Sequence, residues 1–280
     1  MIIGPDRPLV IIGERINPTG RKKLAKALEE GNLKLVREEA IKQLQEGAHV
    51  LDVNVGISGI DEPSLLKETI LAVREVTEVP LCIDSALPRA LEAGLQAYEG
   101  KALVNSVNGE ERKLKEVLPV VKQYGAAVIG LTMDDDGIPG EAQKRLEIAR
   151  KIVEEAEKMG IPPEDVIIDP LAMAISTDQG AALETLKTMR LIRDEIGVNQ
   201  TLGVSNISFG LPERHAINGI FLALAAMNGL TCPIVDPTLW EMRRYGHDRS
   251  GSSEAGGHCR QKKRGHGFDP AGDRPRRRSP

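Results

Sequence analysis

The chain has 280 residues, of which 41% are apolar but only 2% are aromatic, and its formal net charge is −4. This length suits a single α/β barrel, and the composition requires a core of Val, Ile, Leu and Ala side chains. The three cysteines (Cys82, Cys232 and Cys259) show neither CxxC nor paired spacing, which argues against a disulfide framework and against a structural zinc site.

The N-terminal segment MIIGPDRPLVIIGERIN has no basic region followed by a long apolar stretch and a small-residue cleavage site. No apolar run in the chain approaches the length of a membrane span. We therefore expect a cytoplasmic protein without a membrane partner.

Short apolar runs alternate with longer segments of helical period along the chain. Each run has the length and the aliphatic composition of a buried strand. The eight predicted strands cover residues 9–17, 49–56, 81–85, 102–108, 127–133, 165–171, 201–206 and 231–237.

Two of the intervening segments, 32–48 and 141–160, have clear apolar faces and end at a glycine. For the first segment we predict Asn32 as N-cap, Gly47 at the C-terminus and a buried face of Val36, Ala40, Ile41 and Leu44. For the second we predict a buried stripe of Leu146, Ala149, Ile152, Val153 and Ala156, ended by Gly160.

Eight strand–helix units with right-handed crossovers predict an α/β fold, a (β/α)8 TIM barrel in residues 1–240. An open doubly wound sheet is the alternative, but no GxGxxG follows the first strand.

Residues 241–280 hold 11 Lys/Arg, 5 Asp/Glu and only 6 apolar residues, which leaves a charge of −10 for residues 1–240. We expect this basic tail to be disordered or aberrant rather than to bind nucleic acid. The eighth helix of the barrel would then be missing or altered.

Every predicted strand ends in polar side chains. In a TIM barrel these ends form one mouth, where the active site lies. Helix caps and turns also favour Asp, Asn and Ser, so about half of these residues are expected to be structural. The strand-end residues are Glu14, Asn17, Asp52, Asn54, Asp84, Asn105, Asn108, Thr132, Asp134, Asp169, Ser205, Asn206 and Asp236.

The strand ends contain no Lys, His or Cys. Schiff-base chemistry, thiol catalysis and a histidine metal centre are therefore poor candidates, and we interpret His49 and His215 as structural. A carboxylate cluster can hold Mg²⁺, but the many amides favour a neutral, hydrogen-bonding ligand such as a pterin, and we predict no bound metal. The acidic stretch DDDGIPG (134–140) lacks the EF-hand pattern and indicates a turn.

Seven segments between residue 9 and about residue 240 resemble one family in register: IIGERIN, GAHVLDVNVG, LCIDS, LVNSVN, GLTMDDDGIP, IIDPL and GVSNISFGLPER. They are similar to the pterin-binding methyltransferases, which include the methyltetrahydrofolate:corrinoid/iron–sulfur protein methyltransferases and the folate domain of cobalamin-dependent methionine synthases. The resemblance implies a TIM-barrel enzyme that moves a methyl group from methyltetrahydrofolate, or from a related tetrahydropterin, to a corrinoid.

The resemblance also implies the roles of individual residues. Asp84, Asn105 and Asp169 would hold the pterin, while Asn206 would lie near N5 as the catalytic residue. The other predicted substrate-binding residues, which lie at strand ends or match family positions, are Glu14, Asn17, Asp52, Asn54, Ser205 and Arg214, and Asn218 matches a family position as well.

A leaving N5 needs a proton or a hydrogen bond, because it would otherwise depart as an amide-like anion. The nucleophile in such a reaction is the Co(I) of a reduced corrinoid (cobalamin), so the protein needs no nucleophile of its own. Because no histidine lies in a D-x-H-x-x-G corrinoid motif, we expect a separate corrinoid protein, for example a corrinoid/iron–sulfur protein, as partner. We also expect a homodimer.

Dihydropteroate synthase is the related alternative, since it shares the barrel and the Asp/Asn/Asp pterin set. Its Ser-x-Arg-Lys segment is absent here, where GVSNISFG stands, and DVNVGISGIDEP lacks its Gly-Gly-Glu-Ser-Thr-Arg-Pro. A non-catalytic folate-binding protein is a second alternative, because it would need the same pterin-binding residues.

Overall fold

The computed structural model describes residues 2–242, which all belong to one compact unit. Eight parallel strands pair in chain order, and β8 pairs with β1, so the sheet is a closed barrel. The strands are β1 (Ile12–Ile16), β2 (Val50–Asn54), β3 (Leu81–Asp84), β4 (Leu103–Asn108), β5 (Ala127–Leu131), β6 (Val166–Asp169), β7 (Asn199–Gly203) and β8 (Cys232–Val235). The predicted TIM barrel is confirmed.

Helices fill the connections between the strands. Two of them lie between β1 and β2, and one lies in each later connection up to β8. The helices are α1 (Lys22–Glu29), α2 (Lys34–Gln45), α3 (Glu62–Arg74), α4 (Pro88–Ala97), α5 (Glu111–Gln123), α6 (Ala142–Lys158), α7 (Ala181–Glu195) and α8 (Arg214–Met227). Short 3₁₀ helices occupy Pro163–Asp165 and Val204–Ser208.

Two predictions about the C-terminal part, the altered eighth helix and the basic tail, concern residues that lie almost entirely outside the described part of the chain. No helix within residues 2–242 is long and apolar enough to cross a membrane. Of the cysteines, Cys82 and Cys232 are free and buried.

The seventh strand differs from its prediction. It starts at Asn199 and ends at Gly203, so Ser205 and Asn206 lie in the following 3₁₀ helix and not in the strand. The threefold period of a 3₁₀ helix brings residues i and i+3 to the same side. Val204 and Ile207 are both buried in this way, which favours the tight helix over further extended chain.

Helix α2 differs in the face that it buries. Val36 and Ala40 are fully buried as predicted, but Ile41 is 41% exposed. The inner face instead includes two polar residues, Glu39 and Gln43, which hydrogen-bond to β1 as described below. The N-cap of α2 is Leu33 and not the predicted Asn32. Asn32 lies one position before the N-cap, and its Oδ1 accepts the backbone N–H of Lys34 at 3.1 Å.

Three other local predictions are confirmed. The apolar stripe of α6, Leu146 to Ala156, is buried throughout. Gly47 and Gly160 follow their helices with φ of +97° and +76°, the left-handed conformation that glycine adopts without strain. His49 is structural, since its Nδ1 accepts the backbone N–H of Ile11 at 2.9 Å.

Gly13 in β1 is a point of close approach between the barrel and α2. A Cβ at this position would overlap Gln43 Oε1 and lie 3.3 Å from Ala48 Cβ. Gln43 Oε1 accepts the backbone N–H of Arg15 at 2.9 Å, so displacing it would also remove a partner from a partly buried donor.

We expect Gly13→Ala to lower the free energy of unfolding by about 1–3 kcal/mol, the usual cost of overpacking. Gly140→Ala is the matched control, because a Cβ at Gly140 meets no atom within 4 Å. Urea unfolding followed by circular dichroism measures both. Equal stability of the two variants would contradict the close packing of β1 against α2.

Candidate active site

Side chains inside the barrel form two layers. The lower layer is apolar and consists mainly of Val10, Ile12, Val50, Cys82, Leu103, Ile129, Ile167 and Cys232. Because strand side chains alternate with period two, the residue two positions further along each strand points to the same side. Those positions carry Glu14, Asp52, Asp84, Asn105, Leu131, Asp169 and Ile234. The barrel is therefore packed with apolar side chains below and is mainly polar at its C-terminal mouth.

Irregular pairing in two strands turns extra residues towards this mouth. Between Gly13 and Ile16, β1 has one residue more than β2 over the same stretch. A similar shift lies between Asn105 and Val107 in β4. Such bulges redirect side chains, and the first one explains why consecutive residues, Glu14 and Arg15, both line the cavity at the mouth.

This cavity has a volume of about 360 Å³, within the range typical of small-molecule sites. It brings together seven of the ten residues that the sequence analysis assigned to the site. Its lining consists of Glu14, Arg15, Asn17, Thr19, Arg21, Asp52, Asp84, Asn105, Gly203, Ser205, Asn206, Ile234 and Asp236.

Asp52 and Asp84 form one wall of the cavity with their partners. Asn105 Nδ2 donates to Asp52 Oδ1 at 3.3 Å, and the Asn54 side chain hydrogen-bonds to Asp84. Burial, followed by the charge of Asp84, raises the pKa of Asp52 well above its ordinary value. Burial also raises the pKa of Asp84 to about 6. Among residues 2–242 neither carboxylate has a cationic partner, so each retains acceptor capacity for a ligand.

Asp169 lies at the end of β6 and is buried beside the cavity rather than in its lining. Its carboxylate accepts the backbone N–H of Leu171, at 2.7 Å, and that of Gly203, which does line the cavity. Burial raises the pKa of Asp169 to about 7. The two backbone donors hold this carboxylate in one orientation.

The loop after β6 is held by a buried arginine. Arg145 of α6 donates from Nη1 to the carbonyl oxygens of Pro170 and Leu171, both at 3.0 Å. Leu171 has φ of +61°, a conformation that a branched side chain adopts only under strain. The hydrogen bonds of Arg145 thus hold the strained residue whose N–H orients Asp169.

Ser205 and Asn206 enter the cavity from the 3₁₀ helix after β7. The Ser205 side chain hydrogen-bonds to Glu14. A Cβ at Gly203 would lie 2.9 Å from Asn206 Nδ2, so glycine allows the amide to fold close to the strand end. Within residues 2–242 no group hydrogen-bonds to the side-chain amide of Asn206, which caps no helix and is available to a ligand.

An ion-pair network at the rim was not found from the sequence. Arg15 donates to Glu39 of α2, with Nε to Oε2 at 2.7 Å, and to Asp236 beyond β8. Arg21 donates to the same Glu39 and to the backbone carbonyl of Arg15. The only sequence signal was the arginine beside Glu14 in GERIN. Regular alternation along β1 would point this arginine away from the mouth. The bulge in β1 instead turns its side chain towards the mouth.

A second cavity of about 570 Å³ shares Glu14, Ser205 and Asp236 with the first. Arg214, at the start of α8, lines it and donates from Nη2 to the carbonyl of Ser205 at 2.9 Å. Asn218 lines it as well and is only 4% exposed. The sequence-predicted Arg214 therefore lies beside the first cavity and not in it.

Two predicted site residues have structural hydrogen bonds. Asn17 Oδ1 accepts the backbone N–H of Thr19 at 2.9 Å, and Asn54 Oδ1 accepts that of Gly56 at 2.8 Å. Asn17 nevertheless lines the cavity, whereas Asn54 lies outside the lining and hydrogen-bonds to Asp84.

The acidic stretch at 134–140 contains a turn closed between Asp134 and Gly137, as predicted. Residues 2–242 contain no group of three or more His, Cys, Asp or Glu that could hold a metal ion.

Residues 13–236 match the family described as pterin binding enzyme. The chain is 36% identical over 237 residues to a methylcorrinoid:tetrahydrofolate methyltransferase of Eubacterium limosum, covering 84% of this chain and 87% of that protein. It is 32% identical over 243 residues to a methionine synthase of Mycobacterium tuberculosis, covering 82% of this chain but only 20% of that much longer protein.

Solved structures show a similar barrel. A dihydropteroate synthase from Clostridium difficile, solved in the presence of pteroic acid, superposes with a TM-score of 0.69 at 20% identity, covering 86% of this chain and 95% of the other. A dihydropteroate synthase from Yersinia pestis gives 0.66 at 17% identity, covering 86% and 91%. At this identity the likeness establishes the fold alone.

Asp84 should make the fold less stable as pH rises. The folded protein keeps the Asp84 proton up to about pH 6, whereas the ordinary value is 3.8, so stability decreases between these two pH values. Asp84→Asn should therefore raise the free energy of unfolding by about 1–3 kcal/mol at pH 8 and by less than about 1 kcal/mol at pH 4. Urea unfolding at both pH values measures this. Asp135→Asn in the exposed turn is the control and should change stability by no more than about 0.5 kcal/mol.

Proposed function

Since the chain belongs to the family of pterin-binding enzymes, we propose that it transfers the N5-methyl group of methyltetrahydrofolate, or of a related tetrahydropterin, to the Co(I) of a corrinoid on a separate protein. The observation that carries this proposal is the composition of the cavity at the mouth. The residues of 2–242 that line it include carboxylates, amides and two arginines held in ion pairs, with no Lys, His or Cys among them. A site of this kind positions a ligand and leaves the nucleophile to a second substrate.

The carboxylates suit the pterin ring. The 2-amino group and N3–H of a pterin form an edge with two donors, which one carboxylate accepts in bidentate fashion. Asp84 faces the cavity and has no cationic partner in the described part of the chain. Asn105 lies on β4, which pairs with β3, and Asp169 lies at the end of β6, two strands further round the barrel; both would bind further ring atoms. The proposal therefore assigns pterin binding to Asp84, Asn105 and Asp169, with Asp52 and Asn54 orienting two of them.

The wall of the cavity that carries Asn206, opposite Asp84, suits the N5 atom of the pterin. Asn206 offers an amide without a partner among the described residues. Ser205 precedes it in the chain, and Glu14, which hydrogen-bonds to Ser205, lines the same cavity. An amide N–H placed at N5 stabilises the electron density that develops there as the methyl group leaves. We assign the catalytic role to Asn206. Arg214 borders the second cavity, on the side from which a partner protein would reach N5.

Both directions of transfer pass through one transition state, so the same contacts serve both. The relative from Eubacterium limosum is named for transfer from a methylcorrinoid to tetrahydrofolate, opposite to the direction proposed here. Rates measured with methyltetrahydrofolate plus Co(I) corrinoid, and with methylcorrinoid plus tetrahydrofolate, decide which direction this protein favours.

The proposal includes a corrinoid protein as partner, a homodimer as the assembly and the cytoplasm as the location. Free buried thiols at Cys82 and Cys232 are consistent with a reducing compartment. Dihydropteroate synthase activity is not favoured. The structural likeness supports only the shared barrel, and the chain lacks that enzyme's Ser-x-Arg-Lys segment.

The direct test mixes the purified protein with methyltetrahydrofolate and reduced cobalamin without oxygen. The proposal predicts conversion of the Co(I) absorbance to that of methylcobalamin at a rate proportional to protein concentration. Binding of methyltetrahydrofolate without this conversion, with free cobalamin or with a corrinoid protein, would instead identify a passive folate-binding protein.

Asp84→Ala should weaken the binding of methyltetrahydrofolate by about 1–3 kcal/mol, because two donors of the bound pterin lose their acceptor. Titration calorimetry at pH 8 measures the affinity, and Asp135→Ala is the matched surface control. Asp169→Ala should also weaken binding, but it leaves the N–H groups of Leu171 and Gly203 without their acceptor. Asp84→Ala is therefore the cleaner variant, and its unchanged affinity would contradict the pterin site.

Asn206→Ala should leave the affinity for methyltetrahydrofolate within about tenfold, or 1.4 kcal/mol, but slow methyl transfer by roughly 10²-fold or more. An interaction that strengthens in the transition state affects the rate more than binding. Single-turnover mixing with excess Co(I) corrinoid separates the two. Asn228→Ala is the control, since Asn228 bonds to Leu224 at the end of α8, on the side of the barrel away from the mouth. Transfer at the wild-type rate in the Asn206 variant would show that its amide is not catalytic.

A further inference from the structure

Methyl transfer from N5 requires a proton as well as a hydrogen bond. The bond between N5 and the methyl carbon breaks with its electron pair left on nitrogen, and the product carries N5–H. Asn206 can donate a hydrogen bond, but an amide keeps its protons at neutral pH. The site therefore needs a group that holds and releases a proton near pH 7.

Five carboxyl groups lie at the mouth. Asp236 forms an ion pair with Arg15, which leaves four candidates, and three of these lie on the pterin-binding side. Asp52 and Asp84 bond to Asn105 and Asn54. Asp169 accepts two backbone N–H groups. The fourth, Glu14, lines both cavities and hydrogen-bonds to Ser205, the residue before Asn206. Asp169 also reaches this segment, through the backbone N–H of Gly203, but it lies outside the cavity lining. Among these four carboxyl groups, only Glu14 both lines the cavity and hydrogen-bonds to a side chain of the segment that carries Asn206.

The surroundings of Glu14 suit proton exchange. Protein atoms enclose most of its side chain, and this burial, followed by the charge of Asp236, raises its pKa to about 7. The Ser205 hydrogen bond and the charges of Arg214 and Arg15 act in the opposite direction. Asp52 on β2 also interacts with it, and Glu213 and His215 line the second cavity together with it. Arg15 is bound to Glu39 and Asp236, and so does not form an ion pair with Glu14.

Building on the proposed function, we propose that Glu14 is the proton donor for N5. As the cobalt electron pair forms the new bond to the methyl carbon, the Glu14 carboxyl proton moves to N5. Glu14 is left as a carboxylate near Arg214 and Arg15, and it regains a proton from solvent. When transfer runs in the opposite direction, the carboxylate removes the N5 proton of tetrahydrofolate. A group that is half protonated near neutral pH serves both directions.

The test is the pH dependence of single-turnover methyl transfer with saturating methyltetrahydrofolate and excess Co(I) corrinoid. In the wild-type protein the rate should fall tenfold per pH unit above about pH 7. Glu14→Gln should slow transfer by roughly 10²- to 10⁴-fold at pH 6 and remove the decrease above pH 7. Its affinity for methyltetrahydrofolate should remain within about tenfold of the wild type.

Two further variants separate proton donation from a structural role. Glu14→Asp keeps a carboxyl group and should retain a decreasing rate at high pH, which also covers the case in which the Gln variant does not fold. Asp236→Asn removes the negative charge beside Glu14 and should shift the decrease to lower pH without removing it.

The outcomes also separate this inference from the proposed function. If the wild-type protein transfers no methyl group between folate and corrinoid, the proposed function fails. If the wild type transfers methyl but Glu14→Gln keeps the wild-type rate and pH profile, Glu14 is not the donor. An unshifted profile in folded Asp236→Asn would likewise contradict it.

Discussion

The burial of carboxyl groups at the mouth of a closed barrel is the constraint on which the rest of this structure depends. Glu14, Asp52, Asp84 and Asp169 lie above an apolar layer that excludes water from below. Burying an ionised carboxylate costs free energy unless donors surround it. The fold supplies only some of these donors, so the pKa values of the four carboxyl groups rise. Their oxygens can accept further hydrogen bonds. A ligand rich in N–H groups can supply the missing donors.

The distribution of arginine determines which carboxylates remain available. Arg15 and Arg21 both bind Glu39, and Arg15 also binds Asp236. These ion pairs of the guanidinium groups connect β1 with α2 and with the end of β8. These contacts link the first and last strands of the barrel. They also leave Glu14 and Asp84 without direct ion-pair partners among the residues that the structure describes, although both are close to charged residues. The same network therefore links the ends of the barrel, while burial raises the pKa values of Glu14 and Asp84.

The mouth is divided into two functional sides. The β2–β4 side, with Asp84 and Asn105, has acceptors for the donor edge of a pterin. The β7–β1 side, with Asn206 and Glu14, faces the atom from which a methyl group would leave. Substitutions on the first side should change affinity, whereas those on the second should change the rate of transfer. The second cavity adjoins only the reacting side, where a large acceptor would have to approach.

The sequence by itself determined the eight strands, the buried stripe of α6 and the polar residues at the strand ends. These features follow from local alternation and from rules of chain direction, which act within a few residues. Only the tertiary structure decided that Glu14 and Arg15 both face the mouth, because the bulge in β1 depends on pairing with β2, almost 40 residues away. The exposure of Ile41 has the same origin: α2 turns Glu39 and Gln43 inward to meet Arg15, a contact between side chains distant in sequence. Local periodicity cannot encode such contacts, and they form only when the barrel closes.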